Sequence, residues 1–139
     1  MRCQCVTYAF NLNQVMNRTK YLYLNSRDEL FRVDITKIVY FESDGNYTSI
    51  ILSNKVKAVL GMNLAKMQDI LAANLKDQAA RFARVGKRHI INMDFVYRIA
   101  IQRQQLVLSD GENFEYTVSV SKEALKKLRD MYVVGLGNL

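Results

Sequence analysis

Along this chain, short apolar and β-branched runs alternate with turn-forming polar residues, and the pattern reads as short strands with two helical stretches. Tyr21-Leu22-Tyr23-Leu24, within Thr19 to Asn25, is aromatic and apolar enough for a strand. Glu29 to Val33 and Ile35 to Glu42 read as the next extended pieces, and Tyr47 to Ser53 returns as a strand rich in β-branched residues. Lys55 to Leu60, Ile99 to Ile101, Gln105 to Leu108 and Phe114 to Val120 continue the series. Asp44-Gly45-Asn46, Asn54 and Asp110-Gly111 are turn signals, because Gly and Asn accept positive φ. Two stretches change period. After a capping Asn63, Leu64, Met67, Leu71 and Leu75 recur at helical spacing; after Ser121, Leu125, Leu128 and Tyr132 fall on one face. Ile90-Ile91 and Phe95-Val96 read as buried anchors. Helices alternate with strands too rarely for a doubly wound sheet, so a mainly β fold of small antiparallel sheets with one or two short helices is expected.

Composition narrows the class. A chain of 139 residues, half of them hydrophobic, can bury a core without disulfides or metals and is not a disordered segment. No stretch approaches the roughly 20 apolar residues that span a bilayer, and the N-terminus has no signal-peptide order, so a soluble cytoplasmic protein is expected. Proline is absent, which argues against a Pro-rich linker. Cys3 and Cys5 lack a second ligand pair and make a poor zinc site, so no metal and no cofactor is expected.

Charge supplies the first functional clue. The formal net charge is +7, and residues 81–103 hold six cations (Arg81, Arg84, Lys87, Arg88, Arg98 and Arg103) against one acid, Asp94. A basic turn held by a β scaffold suits a polyanion, and nucleic acid is the obvious one. Lys87 and Arg88 are the first candidates: Arg can grip guanine O6 and N7, while Lys suits a phosphate. Asn46, Tyr47 and Thr48 form a second patch, although turn formation explains Asn46 and cross-strand packing explains Tyr47 equally well. Ser121, Lys122 and Lys126 at a helix start form a third, where Ser121 serves either as an N-cap or beside a bound phosphate. Arg81 reads as a phosphate contact and Arg84 as a structural residue. Glu42 reads as a structural hydrogen-bond acceptor, and His89, the lone histidine, as packing at a strand edge. No Ser/His/Asp or Cys/His set, Walker loop, dinucleotide fingerprint or HExxH is present, so neither enzyme activity nor a small-molecule substrate is expected. The two helical stretches lie too far apart for a helix-turn-helix, which leaves loops or strand ends to read DNA. Eight tyrosines also raise RNA stacking as an alternative, though core packing explains most of them.

The ordered segments Ile38-Val39-Tyr40-Phe41-Glu42-Ser43-Asp44-Gly45-Asn46-Tyr47-Thr48 and Phe82-Ala83-Arg84-Val85-Gly86-Lys87-Arg88-His89-Ile90-Ile91-Asn92, with Leu108-Ser109-Asp110-Gly111 and Val120-Ser121-Lys122 after them, resemble the LytTR family of bacterial DNA-binding domains. The resemblance runs from about Asp28 to Met131. It implies an elongated stack of three small antiparallel sheets, transcription regulation, loops placed into successive major grooves, and direct-repeat sites bound by two copies. Contacts would then come from Asn46 to Thr48, Gly86 to Arg88, and Ser121 to Lys126. The chain departs from the family pattern at Gly86, where many members have His, at Lys87 for Arg, at Arg88 for Ser, and at Glu123 where bases are common. Gly86 and Glu123 motivate the alternative of a protein-interaction module of the same fold that has lost DNA binding. Residues 1–25 are expected to be an N-terminal extension with room for a short strand, 26–132 the DNA-binding domain, and 133–139 a tail. An extension of that size is too small for a receiver domain or membrane segment, so a standalone regulator is expected.

Overall fold

The computed structural model describes residues 20–133; Cys3, Cys5 and the tail beyond Val133 lie outside them. Ten strands and two helices follow in order: β1 Tyr21–Asn25, β2 Leu30–Asp34, β3 Ile38–Asp44, β4 Tyr47–Leu52, β5 Lys57–Leu60, α1 Leu64–Leu75, β6 Phe82–Val85, β7 His89–Asn92, β8 Val96–Ala100, β9 Gln105–Ser109, β10 Glu115–Ser119 and α2 Lys122–Val133. They form three antiparallel sheets: a β1-β2 hairpin, a central sheet in the order β5-β4-β3-β7-β6, and a β10-β9-β8 sheet. The mainly β architecture read from the sequence is the one observed.

The period-two alternation explains how the layers stack. Ile50 and Ile90 point to one face of the central sheet, where they meet α1 and the β1-β2 hairpin in a core that includes Leu22, Val33, Phe41, Met67 and Leu75. Their neighbours Ile51 and Ile91 point to the opposite face and meet Leu106, Leu108, Val118, Leu125 and Leu128 from the third sheet and α2. The central sheet is therefore covered on both faces, which leaves its edges, strand ends and turns to reach a partner.

Local chemistry moves several boundaries. Ile35–Lys37 is a 3-10 turn, not the start of a strand, because the Asp34 carboxylate accepts from the Thr36 N–H (2.9 Å) and its hydroxyl (2.7 Å). Lys55, with φ 73°, stays in the turn, and β5 begins only at Lys57. Phe95 and Val96 are half-buried, not full anchors, since Met93–Phe95 forms another 3-10 turn at the surface. Asp110-Gly111 opens a five-residue loop between the paired Ser109 and Glu115. Its carboxylate accepts from the N–H groups of Glu112, Asn113 and Phe114, which holds Asp110 down at about 2. Both helices begin where the sequence indicates, with Asn63 Oδ1 accepting from the Lys66 N–H at 2.8 Å and Ser121 Oγ from the Ala124 N–H at 3.3 Å.

Candidate nucleic-acid interface

Three surface segments converge at one end of the stack. The first is the β3–β4 turn. Asp44 pairs with Tyr47, leaving Gly45 and Asn46 as a two-residue turn. Gly45 takes φ 65° and Asn46 does not take positive φ, so glycine alone supplies the left-handed position. Asn46 and Tyr47 are exposed, Tyr47 at 55%.

The second segment is the β6–β7 loop, Gly86-Lys87-Arg88, exposed throughout, with Gly86 at φ 66°. It is fastened on two sides. The Arg88 carbonyl accepts from the Ser43 N–H at 2.8 Å, which ties the loop to the end of β3 and so to the first turn. Arg84 bridges Gln68 Oε1 on α1 (3.0 Å) and the Lys87 carbonyl (2.9 Å), so it positions the loop from behind. Among the described residues, the Arg88 guanidinium hydrogen-bonds only the Ser43 carbonyl, at a long 3.4 Å, and Lys87 has no ion-pair partner.

The start of α2 completes the set. Ser119, Val120 and Ser121 face Val85 to His89 across a cleft of about 290 Å³, and a second cleft of about 410 Å³ joins Arg84, Gly86 and Lys87 to Ser121, Ala124 and Lys127. A β-carbon on Gly86 would meet Ala124 Cβ at 3.9 Å and Val120 Cγ1 at 4.0 Å, so the loop lies against the helix start at van der Waals distance. Packing, more than capping, sets this placement. Leu125 and Leu128 are fully or almost fully buried, each stabilising by roughly 1.5–3 kcal/mol. An exposed serine cap adds only about 1.

Lys87, Arg88, Asn46, Tyr47 and Ser121 thus belong to one end of the molecule; Lys122, half-buried, and Lys126, exposed, follow on α2 but line neither cleft. Two sequence candidates do not serve as expected. Thr48 is 0% exposed and its hydroxyl donates to the Met62 carbonyl at 2.8 Å, so it joins β4 to the lead-in of α1 and cannot reach a groove. Arg81 is held by Asp94 at 2.6 Å and by Gln78 Oε1 at 3.1 Å, which neutralises it locally. Lys127, which the sequence offers only as a neighbour that could pair with Glu123 four residues earlier and not as a DNA contact, lines the same cleft as Lys87. Two carboxylates also border the region, Asp44 on the hairpin and Glu123 on α2, and Glu123 forms no ion pair among the described residues.

His89 lies on β7, an interior strand, and is 6% exposed; it does not sit at a sheet edge. Its Nε2 lies 3.3 Å from Glu42 Oε2, as the acceptor reading of Glu42 requires. Burial lowers the imidazole from its ordinary value; Glu42 opposes this and Arg88 adds to it. The Glu42 carboxylate can only accept, so the contact is a hydrogen bond donated by Nε2.

A surface cleft of about 780 Å³ opens at the opposite end, between Phe31 to Asp34, Lys37, Ser53 and the Asp110 to Phe114 loop. A duplex is met by protruding turns and not by a concavity, so cleft size does not locate the interface here. Among the described residues, no group of His, Cys, Asp and Glu could hold a metal ion, and no helix is long and apolar enough to cross a membrane.

Comparison with known proteins gives a consistent result. The family model described as the LytTr DNA-binding domain matches residues 28–132. Among solved structures, the chain is similar to a LytTr DNA-binding domain from Bacillus cereus, with 18% identity and a TM-score of 0.55 over 81% of this chain and 95% of that one. At that identity the likeness concerns the fold. A search of curated proteins returned no match.

Proposed function

The chain belongs to the LytTr family of DNA-binding domains, and from that premise we propose that it is a sequence-specific regulator of transcription whose turns enter the major groove of double-stranded DNA. The observation that carries the reading is the fastening of Lys87 and Arg88 beside Asn46 on one side and the start of α2 on the other. Arg88 reads bases: its one contact is long, so turning the guanidinium toward guanine O6 and N7 sacrifices little, and such a paired contact discriminates by roughly 1–3 kcal/mol. Lys87 and Lys126 neutralise phosphates, and the exposed N–H groups at the start of α2 are suited to a phosphate oxygen. Asn46 meets an adenine edge with Tyr47 beside it. Two copies on a direct repeat would present this short set of contacts twice.

The test is recovery of bound genomic fragments followed by anisotropy titrations on the recovered site and on random duplex. A recurring paired motif, tighter binding to it than to random DNA, and a steep fall of affinity with salt are expected. The Lys87→Ala/Arg88→Ala double variant should weaken binding while leaving the thermal melt near wild type, since both side chains are exposed. Absence of any preference over random duplex at every salt concentration would refute the proposal, and unchanged affinity in the double variant would remove the β6–β7 loop from the site.

A further inference from the structure

The β8–β9 turn, Ile101 to Gln104, stands at the same end as the cationic loop. Gln105 pairs with Ser119, and the Gln104 carbonyl accepts from the Val120 N–H at 3.1 Å, which ties the turn by its backbone to the segment entering α2. Val120 in turn lines the cleft with Lys87. The turn has a fixed shape. Its ends close through the Gln104 N–H to the Ile101 carbonyl at 3.0 Å, Gln104 adopts φ 56°, and Ile101 packs into the second core. Gln102, Arg103 and Gln104 remain exposed, and Arg103 has no ion-pair partner among the described residues. Arg81 and Arg84, by contrast, are both held in place.

Resting on the function proposed above, we infer that Arg103 is a fourth point of DNA contact, a clamp on a backbone phosphate flanking the groove that the β6–β7 loop enters. Distance argues for phosphate and against a base. Gln104 lies one strand spacing, ~4.8 Å, from the cleft-lining Val120, and Arg103 is the next residue out along the turn. The major groove is about 12 Å wide, so a side chain displaced that far from a groove-entering loop meets the neighbouring backbone. The Gln residues on either side add neutral donors that are equally suited to phosphate oxygens.

A single phosphate contact contributes about 0.9 to the slope of log affinity against log salt, so near 0.1 M salt its loss weakens binding by about eightfold relative to 1 M. Anisotropy titrations of full-length wild type, Arg103→Ala and Arg103→Lys, on the recovered site and on random duplex of equal length, test the inference. Arg103→Ala should weaken both duplexes by the same factor and reduce the slope by about 0.9, with Arg103→Lys restoring both and the thermal melt unchanged. Wild-type affinity and slope in Arg103→Ala, alongside weakened Lys87→Ala/Arg88→Ala, would overturn the clamp and leave the function reading standing. Loss confined to the specific site, or no rescue by Lys, would overturn the assignment to phosphate. Failure of wild type to prefer its site would remove the function reading and this inference with it.

Discussion

Asn92 closes the second signature segment, yet its geometry makes it part of the scaffold. It is 0% exposed. Its Nδ2 donates to the Ile38 carbonyl at 2.8 Å, across to the start of β3, and its Oδ1 accepts from the Asp94 N–H at 2.9 Å, capping the Met93–Phe95 turn. Asn92→Ala leaves the Ile38 carbonyl unpartnered at a residue that is itself 0% exposed, which costs about 1–3 kcal/mol. Loss of the turn cap adds about 1, for a total of about 2–4 kcal/mol. With a urea m-value near 2 kcal/mol per molar, the unfolding midpoint should fall by about 1–2 M. Asn92→Asp keeps the capping oxygen but turns a carboxylate toward a carbonyl, and should be at least as damaging. Urea denaturation followed by circular dichroism measures both. DNA affinity per folded molecule should be unchanged, because Asn92 lies at the far end of β7 from Lys87 and Arg88. A midpoint shift below about 0.3 M would show that neither hydrogen bond matters; a full-strength fold with lost DNA binding would show that Asn92 acts at the interface.

Thr48→Val should cost about 1 kcal/mol, because the Met62 carbonyl loses its donor, and should leave DNA affinity alone. A more than fivefold loss of affinity with an unchanged melt would mean that the hydroxyl reaches DNA after all. His89 makes stability pH-dependent. Its folded value lies below the ordinary 6.5, through burial first, with Glu42 opposing and Arg88 reinforcing. The unfolded chain therefore takes up the proton more readily: this contribution is complete above roughly pH 6.5 and is lost as pH falls from there through the folded value. Urea midpoints between about pH 5 and 7.5 should fall with acid in wild type and flatten in His89→Gln. Equal slopes in the two proteins would assign the acid sensitivity to other groups.

Periodicity carried the helices almost unaided. Leu64, Met67, Leu71 and Leu75 announce α1, and all four are buried where that stripe predicts. Most strands were legible too, although Phe82–Val85 and His89–Asn92 were not among the extended pieces read from the sequence. Boundaries were less so, because short-range polar chemistry moved them: the Asp34 carboxylate curls Ile35 to Lys37 into a 3-10 turn, and Lys55 adopts positive φ. At the interface, residue type alone marked Lys87 and Arg88, since two adjacent cations between apolar strands have few reasons to be buried. It could not separate Arg88 from Arg81 or Asn46 from Thr48, because availability depends on partners remote in sequence. Asp94, thirteen positions on, holds Arg81, and the Met62 carbonyl, fourteen positions on, holds the Thr48 hydroxyl.

By itself, the order of apolar, β-branched and turn-forming residues determined a mainly β chain with two amphipathic helices and a basic segment in its second half. Those are properties of local periodicity and of side-chain charge. Only the tertiary structure decided that the β3–β4 turn, the β6–β7 loop, the β8–β9 turn and the start of α2 share one end. Antiparallel pairing of β3 with β7 and of β9 with β10, and the burial of Leu125 and Leu128 against the third sheet, set that arrangement. The β3–β7 contacts join residues as remote in sequence as Tyr40 and Ile91, and no short window along the chain contains both.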